Sequence, residues 1–446
     1  MNKNIFGTDG VRGVANTEIS GDFAFRLGQA FAVYLSENST SPNLTICVGR
    51  DTRPSGYMLL SAFVAGVMTM GVNVLDVGVA PTPAISYLTS HLHYSAGAVI
   101  TASHNLSEYN GIKLMDAHGA KLSTLAESDI SRIFCNITDY LPSTNVGLLT
   151  QDWDKPKLWA DYLIKCVDNV NLSNFRVVVD CAHGAGFRAV PYVLKSLGAN
   201  VTCLNCDDDG GLINLNCGST CLAPLLSAMQ SNIYDIGLAF DGDADRLVVC
   251  DSSGNVLSGD DILFVLAKYF ADHNLLKSNT IVATIVSNHG LEQSLSPLGI
   301  LVRRVDVGDK FVLHQLLAED YSLGGEDSGH IIMPQFNLSA DALLTALFLL
   351  KILQSTNSNL TQLTAEFQRF PRATRNVPVS ARQHALLSAG ALAEPLEQLL
   401  RELGDAGTII LRPSGTESMA RVLVEGNEPS IITNIADKLQ SLILAL

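Results

Sequence analysis

The stretch Arg176-Val-Val-Val-Asp180 reads as an apolar strand, and after a helical stretch the chain returns as a second apolar strand at Gly198-Ala-Asn-Val201. This order predicts a βαβ unit, whose two strands lie parallel in one sheet. The same pattern occurs over residues 44–74 and again over residues 280–302. The copies are separated by the length of a domain, not by the short period of a solenoid. The sequence therefore predicts three related α/β domains in series.

The end of the chain differs from these three units. Two strand-like segments, Gly407–Leu411 and Ala420–Val424, surround a loop, and Ser430–Leu446 reads as a helix. A chain of 446 residues has room for about three or four domains. We therefore predict the α/β class, with three α/β domains followed by a smaller α+β domain. The predicted domains are residues 1–145, 146–252, 253–368 and 369–446.

Composition excludes several classes of protein. The net charge is −15 and no Lys/Arg cluster interrupts it, so a nucleic-acid partner is not expected. The longest apolar run, Ala342–Leu350, is too short to cross a bilayer, and the chain begins without a charged and apolar leader. Nine cysteines suit reduced thiols better than a disulfide framework. We expect a cytoplasmic protein with no membrane partner.

The most informative segment is Asp241-Gly-Asp-Ala-Asp245-Arg246, which follows the apolar strand Ile236–Phe240. Oxygen ligands at this density suit Mg²⁺ or Ca²⁺. The spacing excludes an EF-hand loop, which needs glycine sixth and glutamate twelfth. A solvated acidic turn is the alternative, but three carboxylates this close repel one another unless a cation offsets them. Strand ends in α/β sheets are also where ligands bind.

A candidate nucleophile lies in Thr101-Ala-Ser-His-Asn105, between the apolar run Ala96–Ile100 and Lys113. A serine at a strand end is placed to carry a covalent group such as phosphate. Neighbouring side chains on an extended chain point to opposite faces, so His104 need not activate Ser103. A helix-capping serine is the alternative interpretation.

Three further loops combine glycine with polar side chains. Gly324–His330 presents Glu326, Ser328 and His330 in alternation, which suits recognition of vicinal hydroxyls. Arg412-Pro-Ser-Gly-Thr416, with Arg421 nearby, has the composition of a phosphate cradle. Phe6–Gly13 is glycine-rich and carries Arg12. An ordinary surface turn explains the first and third of these segments equally well, whereas the composition of Arg412–Thr416 somewhat favours the phosphate cradle over a surface turn.

Together and in this order, these segments resemble the α-D-phosphohexomutase family, and most closely its bacterial phosphoglucosamine mutases. The resemblance covers nearly the whole chain. It extends to three further motifs, Ile213–Thr220, Ser287–Glu292 and Val307-Gly-Asp309. It implies a heart-shaped isomerase of four domains around a central cleft. Its partner would be a small-molecule sugar phosphate, and the enzyme would be a monomer or homodimer.

The resemblance also implies a reaction. Ser103 would carry the phosphoryl group, and one Mg²⁺ per active site would be held by Ser103, Asp241, Asp243 and Asp245. Glucosamine 6-phosphate and glucosamine 1-phosphate would interconvert through glucosamine 1,6-bisphosphate, which also acts as activator. The product would feed UDP-N-acetylglucosamine and cell-wall precursors.

By the same resemblance, Lys113 and His330 would handle protons, and Arg12 and Arg246 would assist phosphoryl charge. His104 is predicted to belong to this catalytic group. Glu326 and Ser328 would bind sugar hydroxyls. The phosphate that is not transferred would be anchored by Arg412, Ser414, Gly415, Thr416 and Arg421.

Several positions depart from the family pattern. Leu106 and Ser418 each replace a proline, and Ala244 replaces a glycine, so Ala244 must avoid positive φ or accept strain. Leu106 is expected to loosen the serine loop. Ser339-Ala-Asp341 replaces a Gly-Asp-Gly. Asp327 stands where phosphoglucosamine mutases usually have glutamine, and we hypothesise that it favours an aminosugar cation.

Other functions compete with this interpretation. A phosphomannomutase or phosphoglucomutase would use the same mechanism, and a non-catalytic sugar-phosphate sensor would use the same loops. Gly184–Ala189 fits the dinucleotide fingerprint, but no acidic residue ends the second strand. Cys203, Cys206, Cys217 and Cys221 approximate zinc-ligand spacing, and we interpret them as ordinary thiols.

Overall fold

The computed structural model describes residues 4–7, 9–230, 233–403, 407–413 and 419–446. Four sheets follow one another along the chain, with six, five, four and three strands. The predicted fold class is confirmed: three α/β units precede a smaller C-terminal unit with an antiparallel sheet. All three predicted βαβ strand pairs are parallel neighbours.

The first sheet has the strand order β1-β5-β4-β2-β3-β6. Gly28 and Gly66 let its first two helices touch, because a Cβ on either residue would lie about 2 Å from a backbone oxygen of the other helix. The elements are β1 Val11–Val14, α1 Gly21–Asn38, β2 Thr45–Arg50, α2 Gly56–Thr69, β3 Asn73–Val79, α3 Thr82–His91, β4 Ala96–Ile100, β5 Tyr109–Met115, α4 Thr124–Cys135 and β6 Leu149–Gln151.

The second sheet has the order β11-β10-β9-β7-β8. Its elements are α5 Pro156–Cys166, β7 Arg176–Asp180, α6 Ala189–Ser196, β8 Asn200–Leu204, α7 Ala223–Met229, β9 Ile236–Phe240, β10 Leu247–Asp251 and β11 Val256–Leu257. β9 and β10 are antiparallel neighbours, so the acidic segment 241–246 is the turn of a hairpin.

The third sheet has the order β13-β12-β14-β15. Its elements are α8 Gly259–Asp272, β12 Thr280–Thr284, α9 Gly290–Leu295, β13 Leu301–Val305, α10 Asp309–Ala318, β14 Gly324–Gly325, β15 Ile331–Ile332, α11 Ala342–Thr356 and α12 Leu360–Thr364. β14 and β15 are antiparallel, so Glu326–His330 is also a hairpin turn.

The C-terminal unit has the strand order β16-β18-β17, with both pairs antiparallel. Its elements are β16 Arg372–Pro378, α13 Ala381–Ser388, α14 Ala393–Leu403, β17 Thr408–Pro413, β18 Met419–Glu425 and α15 Pro429–Leu444. The two predicted strands and the predicted helix are present, while β16, α13 and α14 had not been predicted.

The apolar cores follow the division into units only at the C-terminal end of the chain. One cluster of buried side chains runs through the second and third units and reaches residues of the first, whereas the C-terminal unit buries its own cluster around Val422 and Ile435. The domain boundaries remain predictions. β6 lies beyond the predicted boundary at 145/146 but pairs with β3, and β11 lies beyond 252/253 but pairs with β10.

In the segment Ser339–Asp341, the aspartate has a structural role. Asp341 caps α11, where its side chain accepts a hydrogen bond from the Leu344 N–H at 2.9 Å. Its other oxygen accepts one from Trp159 Nε1 of α5 at 2.9 Å. The aspartate therefore ties the third unit to the second. No helix in the described part of the chain is both long and apolar enough to span a membrane.

Candidate active site

Ser103 lies directly after β4 and is 1% exposed. Its φ is +51°, an uncommon backbone conformation for a residue other than glycine. Its Oγ donates a hydrogen bond to Asp241 Oδ2 at 2.7 Å, and its N–H donates to Thr101 Oγ1 at 2.9 Å. The predicted nucleophile is thus fixed against the predicted metal loop.

Arg53, which the sequence had not singled out, organises the serine loop. Its fully buried guanidinium donates to the carbonyls of Ser103 at 3.0 Å, Asn105 at 2.7 Å and Tyr109 at 2.9 Å, and also to that of Leu106. Its Nε donates to Asp51 Oδ2 at 2.9 Å. The carbonyl of Leu106, where the family commonly has proline, is therefore held in place by an arginine.

Asp241, Asp243 and Asp245 each place a carboxylate oxygen within 4.8 Å of the others, and all three are buried. Burial, followed by the charges of Asp245 and Asp243, raises the pKa of Asp241 to about 8. Ala244 between them has φ +56°, so it accepts the positive φ that a glycine would adopt without strain.

The oxygens of this cluster fit a hard divalent cation. Asp243 Oδ1 and Asp245 Oδ1 are buried, and neither has a hydrogen-bond partner among the described residues. The other oxygen of Asp243 accepts from Thr82 Oγ1 at 2.6 Å, which orients the carboxylate. Two unpartnered carboxylate oxygens beside a third carboxylate form the kind of donor set that Mg²⁺ and Ca²⁺ prefer.

Lys113 points from β5 into the carboxylate cluster. Its Nζ lies 2.8 Å from Asp243 Oδ2, 2.9 Å from Asp245 Oδ2 and 3.0 Å from Asp9 Oδ2. Burial alone would lower the pKa of Lys113, but these three acids raise it well above its usual value. Lys113 is therefore a buried ammonium group between the first and second units.

His330 reaches the same cluster from the third unit. Its Nε2 lies 2.9 Å from Asp309 Oδ2, and its Nδ1 lies 3.6 Å from Asp245 Oδ1. Burial lowers the pKa of His330, but Asp245 and Asp309 outweigh burial and raise it overall. Asp309 was part of a quoted motif, and neither it nor Asp9 had been assigned a role.

Three further predicted side chains, Arg12, Arg246 and His104, are buried or paired near the acidic residues of the site. Arg12 is paired with Asp9, and the backbone N–H of Arg246 donates to Asp241 Oδ1 at 3.2 Å. Arg12 Nε, Arg246 Nε and His104 Nδ1 are buried without a hydrogen-bond partner among the described residues. Burial, with Arg246 and Arg12, lowers the pKa of His104 to about 4, so its imidazole is neutral.

The predicted sugar loop is held by its own backbone contacts. Glu326 Oε1 accepts a hydrogen bond from the Gly308 N–H at 3.0 Å, while Ser328 is exposed. Asp327 Oδ2 accepts from Arg372 Nη1 at 3.0 Å, so its charge is offset by an arginine of the C-terminal sheet. Arg372 also pairs with Glu425.

Part of the predicted phosphate cradle lies outside the described residues, namely Ser414, Gly415 and Thr416, together with Ser418. The two arginines are described. Arg412 on β17 and Arg421 on β18 are directly paired in the sheet. Burial and the charge of Arg421 lower the pKa of Arg412, while Glu326 of the third unit raises it. Two positive charges directly opposite each other on neighbouring strands repel, and a bound anion such as phosphate would offset that repulsion.

Two sequence patterns that pointed to other functions, the dinucleotide-like glycines and the zinc-like cysteines, are accounted for by the structure. A Cβ on Gly184 would lie 2.4 Å from the Gly242 carbonyl oxygen, so this glycine is needed for contact with the acidic turn. The cysteines of the zinc-like pattern are free thiols. Among the described residues, the three aspartates form the one group of His, Cys, Asp and Glu side chains arranged to hold a metal.

Profiles of one protein family match the four units of the chain one by one. Profiles described as phosphoglucomutase/phosphomannomutase alpha/beta/alpha domains I, II and III match residues 3–141, 157–254 and 258–370. The profile for the C-terminal domain of the same family matches residues 375–441.

Curated relatives and solved structures agree with these profiles. The phosphoglucosamine mutase of Desulforamulus reducens is 40% identical over 442 residues, covering 98% of this chain and 99% of the relative. That of Desulforudis audaxviator is 41% identical over 438 residues, covering 98% and 96%. A phosphoglucomutase/phosphomannomutase family protein from Burkholderia thailandensis superposes with a TM-score of 0.83 at 23% identity, covering 99% and 97% of the two chains, which shows the shared fold.

These matches cover nearly the whole chain, and the relatives of that length exceed 30% identity. The resemblance inferred from the sequence motifs is confirmed. The chain belongs to the phosphoglucomutase/phosphomannomutase family of α-D-phosphohexomutases.

Proposed function

We propose that this chain is a phosphoglucosamine mutase, an isomerase that interconverts glucosamine 6-phosphate and glucosamine 1-phosphate. The observation that carries the proposal is Ser103, whose Oγ lies 2.7 Å from Asp241 beside a buried cluster of three carboxylates. The curated relatives that match over nearly the whole chain bear the name of this activity. The product would feed UDP-N-acetylglucosamine synthesis.

In the proposed cycle, Ser103 Oγ carries a phosphoryl group that passes to a free hydroxyl of the sugar monophosphate. The bond between Oγ and phosphorus breaks, a bond between phosphorus and the sugar oxygen forms, and the hydroxyl proton is passed to Ser103 Oγ through the proton-handling side chains, which leaves a serine hydroxyl. The resulting glucosamine 1,6-bisphosphate turns round and returns its other phosphoryl group to Ser103. Phosphate is conserved, and no nucleotide is consumed.

Lys113 and His330 are the proposed proton-handling pair. Both are buried, and both are held by carboxylates, Lys113 Nζ by Asp243 and His330 Nε2 by Asp309. Each side chain therefore holds a proton at a fixed atom, as a general acid must, and can act as a general base only after it has given that proton up. His104 is neutral beside Ser103, and Arg12 and Arg246 are proposed to contact the phosphoryl oxygens.

We propose that Asp241, Asp243 and Asp245, with an oxygen of phosphorylated Ser103, hold one Mg²⁺ per site. When bound, Mg²⁺ supplies positive charge that offsets the phosphoryl oxygens as the group is transferred. The two unpartnered oxygens, Asp243 Oδ1 and Asp245 Oδ1, support this assignment.

Sugar and phosphate binding are assigned to the third and fourth units. Glu326 and Ser328 are proposed to bind sugar hydroxyls. Arg412 and Arg421, directly paired between β17 and β18, are proposed to anchor the phosphate that is not transferred. Ser414, Gly415 and Thr416 are proposed to complete that anchor. We propose that the protein is cytoplasmic, that it acts on a small-molecule sugar phosphate, and that it is a monomer or a homodimer.

Turnover by the purified protein tests the reaction and the sugar together. The Mg²⁺-supplied protein would be primed with a hexose 1,6-bisphosphate and given glucosamine, glucose and mannose 6-phosphates in parallel. Preference for glucosamine 6-phosphate supports the proposal. Preference for glucose or mannose 6-phosphate would keep the mechanism and make the chain a phosphoglucomutase or phosphomannomutase instead.

Ser103→Ala tests the covalent mechanism. We expect loss of turnover with retained binding of the sugar phosphate, because the variant lacks only the oxygen that carries the phosphoryl group. Ser107→Ala, in the same loop, is the matched control and should keep wild-type turnover. Full activity of Ser103→Ala would contradict the phosphoserine mechanism, and absence of turnover in the wild type would favour a non-catalytic sensor.

Asp327 provides a test of sugar preference. We propose that its carboxylate favours the ammonium group of the aminosugar, although Arg372 at 3.0 Å offsets part of that charge. Asp327→Met should lower the ratio of kcat/KM for glucosamine 6-phosphate to that for glucose 6-phosphate, while Asp327→Glu should keep it. An unchanged ratio in Asp327→Met would remove Asp327 from substrate selection.

A further inference from the structure

The proposed proton-handling groups belong to a closed ring of buried and partly buried side chains in which acids and bases alternate. The members, in order around the ring, are Lys113, Asp9, Lys121, Asp309, His330 and Asp245. Of the six, only Lys113, His330 and Asp245 have roles in the reaction described above.

The ring has two links from each proposed proton-handling group. Lys113 Nζ lies 3.0 Å from Asp9 Oδ2 and 2.9 Å from Asp245 Oδ2. His330 lies 3.6 Å from Asp245 Oδ1 through Nδ1 and 2.9 Å from Asp309 Oδ2 through Nε2. On one side of the ring, Lys113 and His330 are joined through Asp245, a carboxylate of the proposed metal cluster. On the other side they contact Asp9 and Asp309, which lie outside that cluster.

Lys121 closes that other side. Its Nζ contacts Asp9 Oδ1 and Asp309 Oδ2, so one ammonium group joins the acid beside Lys113 to the acid beside His330. The Lys121 side chain is 15% exposed. Burial alone would lower the pKa of Lys121, but Asp309 and Asp9 outweigh it and raise the pKa, so the bridge carries a positive charge.

The bridge also joins distant parts of the chain. Asp9 and Lys121 belong to the first unit, whereas Asp309 begins α10 of the third. Without the Lys121 charge, two buried carboxylates would face each other with one cation fewer between them, and they would separate or bind protons. Either change alters the acids that orient Lys113 and His330.

We propose that Lys121 is a positioning residue of phosphoryl transfer: by bridging Asp9 and Asp309 it fixes Lys113 and His330 relative to each other. This rests on the proposed function, because those two side chains are its proton-handling pair. Lys121 acts through its two acids and is not assigned a contact with the sugar. Its removal should therefore affect the chemical step more than substrate binding.

The test compares Lys121→Met and Lys121→Arg by kcat and KM on glucosamine 6-phosphate. We expect Lys121→Met to lower kcat by about 10²-fold, the loss typical of a misplacement of about 1 Å, with KM changed much less. Lys121→Arg, which keeps the charge and can reach both acids, should restore most of kcat.

Lys310→Met is the matched control. Lys310 Nζ lies 3.6 Å from Glu127 Oε2 and likewise joins the third unit to the first, but it contacts neither Asp9 nor Asp309 in any described ion pair. If Lys121 acted only by holding the two units together, Lys310→Met would lower kcat to a similar extent. A similar loss in both variants would overturn the proposal, as would wild-type kcat in Lys121→Met.

A second variant covers the case in which Lys121→Met does not fold. Asp309→Asn keeps the shape of the side chain but removes the negative charge between Lys121 and His330, and should also lower kcat with little change in KM. Unchanged kcat in Asp309→Asn would overturn the proposal. Failure of the wild type to turn over any hexose phosphate would instead overturn the proposed function on which the proposal rests.

Discussion

Ser103 and Ala244 both have a left-handed backbone, with φ +51° and φ +56°, although neither is glycine. For Ser103, hydrogen bonds from Arg53 and from Asn214 Nδ2, at 3.0 and 2.8 Å, fix the carbonyl group and compensate for the conformation. Ala244 lies between Asp243 and Asp245, where its conformation aims the flanking carboxylates into one cluster. Strain of this kind, about 1–3 kcal/mol per residue, is typical of functional sites.

Replacing Ala244 with glycine should stabilise the protein. Glycine adopts positive φ without steric cost, so we expect Ala244→Gly to raise the free energy of unfolding by about 1 kcal/mol. Urea denaturation followed by fluorescence measures the change. Ala239→Gly, in the regular strand β9, is the control and should lower the stability instead. A destabilised Ala244→Gly would show that the methyl group contributes packing that outweighs the strain.

Asp243 should control magnesium affinity. Its Oδ1 is one of the two buried oxygens of the aspartate cluster that have no hydrogen-bond partner among the described residues, so Asp243→Asn removes a charged ligand. We expect the affinity for Mg²⁺ to fall at least about tenfold, measured by isothermal titration calorimetry on the protein alone. Asp272→Asn, the same charge change at the exposed end of α8, should leave the affinity unaltered.

At the scale of elements, the reactive groups lie on turns that regular structure positions. The metal loop is the turn between β9 and β10, the sugar loop is the turn between β14 and β15, and Ser103 follows β4. The serine loop is ordered by two side chains from outside it, since Arg53 and Asn214 both donate to the carbonyls of Ser103 and Asn105. Arg53 performs this role from the segment that follows β2.

Loss of Arg53 should therefore affect both folding and turnover. Arg53→Met leaves Asp51 as a buried charge without its ion-pair partner, which destabilises a protein by about 3–5 kcal/mol. The carbonyls of the serine loop also lose one of their donors, so kcat should fall in whatever fraction folds. Urea denaturation and turnover measure the two effects.

Arg26→Met serves as the comparison for Arg53→Met. Arg26 is a half-buried arginine of the same unit that donates to one carbonyl, that of Phe134, at 3.1 Å. Its replacement should cost less stability and leave kcat unchanged. Equal effects of the two substitutions would show that the serine loop orders itself without Arg53.

At the scale of the whole molecule, Asp341 joins three units. It accepts hydrogen bonds from Trp159 of the second unit and from Asn337 Nδ2 at 3.3 Å, and Asn337 itself donates to the Pro83 carbonyl of the first unit at 3.0 Å. Burial raises the pKa of Asp341 to about 6 despite these donors. The folded protein therefore favours the protonated carboxyl more than the unfolded chain does.

Asp341 should make stability depend on pH. Because its pKa is higher in the folded state, its contribution is fully present below pH 4 or so and is lost as pH rises through about 6, by roughly 3 kcal/mol. The difference in unfolding free energy between wild type and Asp341→Asn should fall over that range. Asp251→Asn is the control: because the pKa of Asp251 is lowered, its difference should stay constant between about pH 4 and 6 and should fall only as pH drops below about 4. A difference independent of pH would show that Asp341 titrates normally.

The sequence predicted those features that local patterns specify. Apolar strands followed by glycine predicted the three parallel pairs, and alternating carboxylates after a strand predicted the metal cluster. The two-residue strands β14 and β15 are too short for any periodic pattern to show. β16 contains two arginines and ends in proline, so its sequence does not show the apolar pattern of a strand, and none of the three was predicted.

Contacts between distant residues were equally inaccessible. Lys121 and Asp309 are 188 positions apart by their residue numbers, and no pattern within either neighbourhood indicates the other. Arg53 belongs to no periodic pattern, and its role depends on a loop that follows a different strand. Such pairings require the packed structure, because burial and distance decide which charges meet.

The six side chains of the alternating ring become available at different times during synthesis of the chain. Asp9, Lys113 and Lys121 leave the ribosome first, and Asp245 follows, but Asp309 and His330 emerge only after most of the chain has been made. At about 5–20 residues per second, the acidic hairpin exists for several seconds before its histidine is available. A nascent chain that has folded two units thus has the lysines of the ring and the arginine paired with Asp9, but not the histidine of the ring, and phosphoryl chemistry must wait until the third unit is translated.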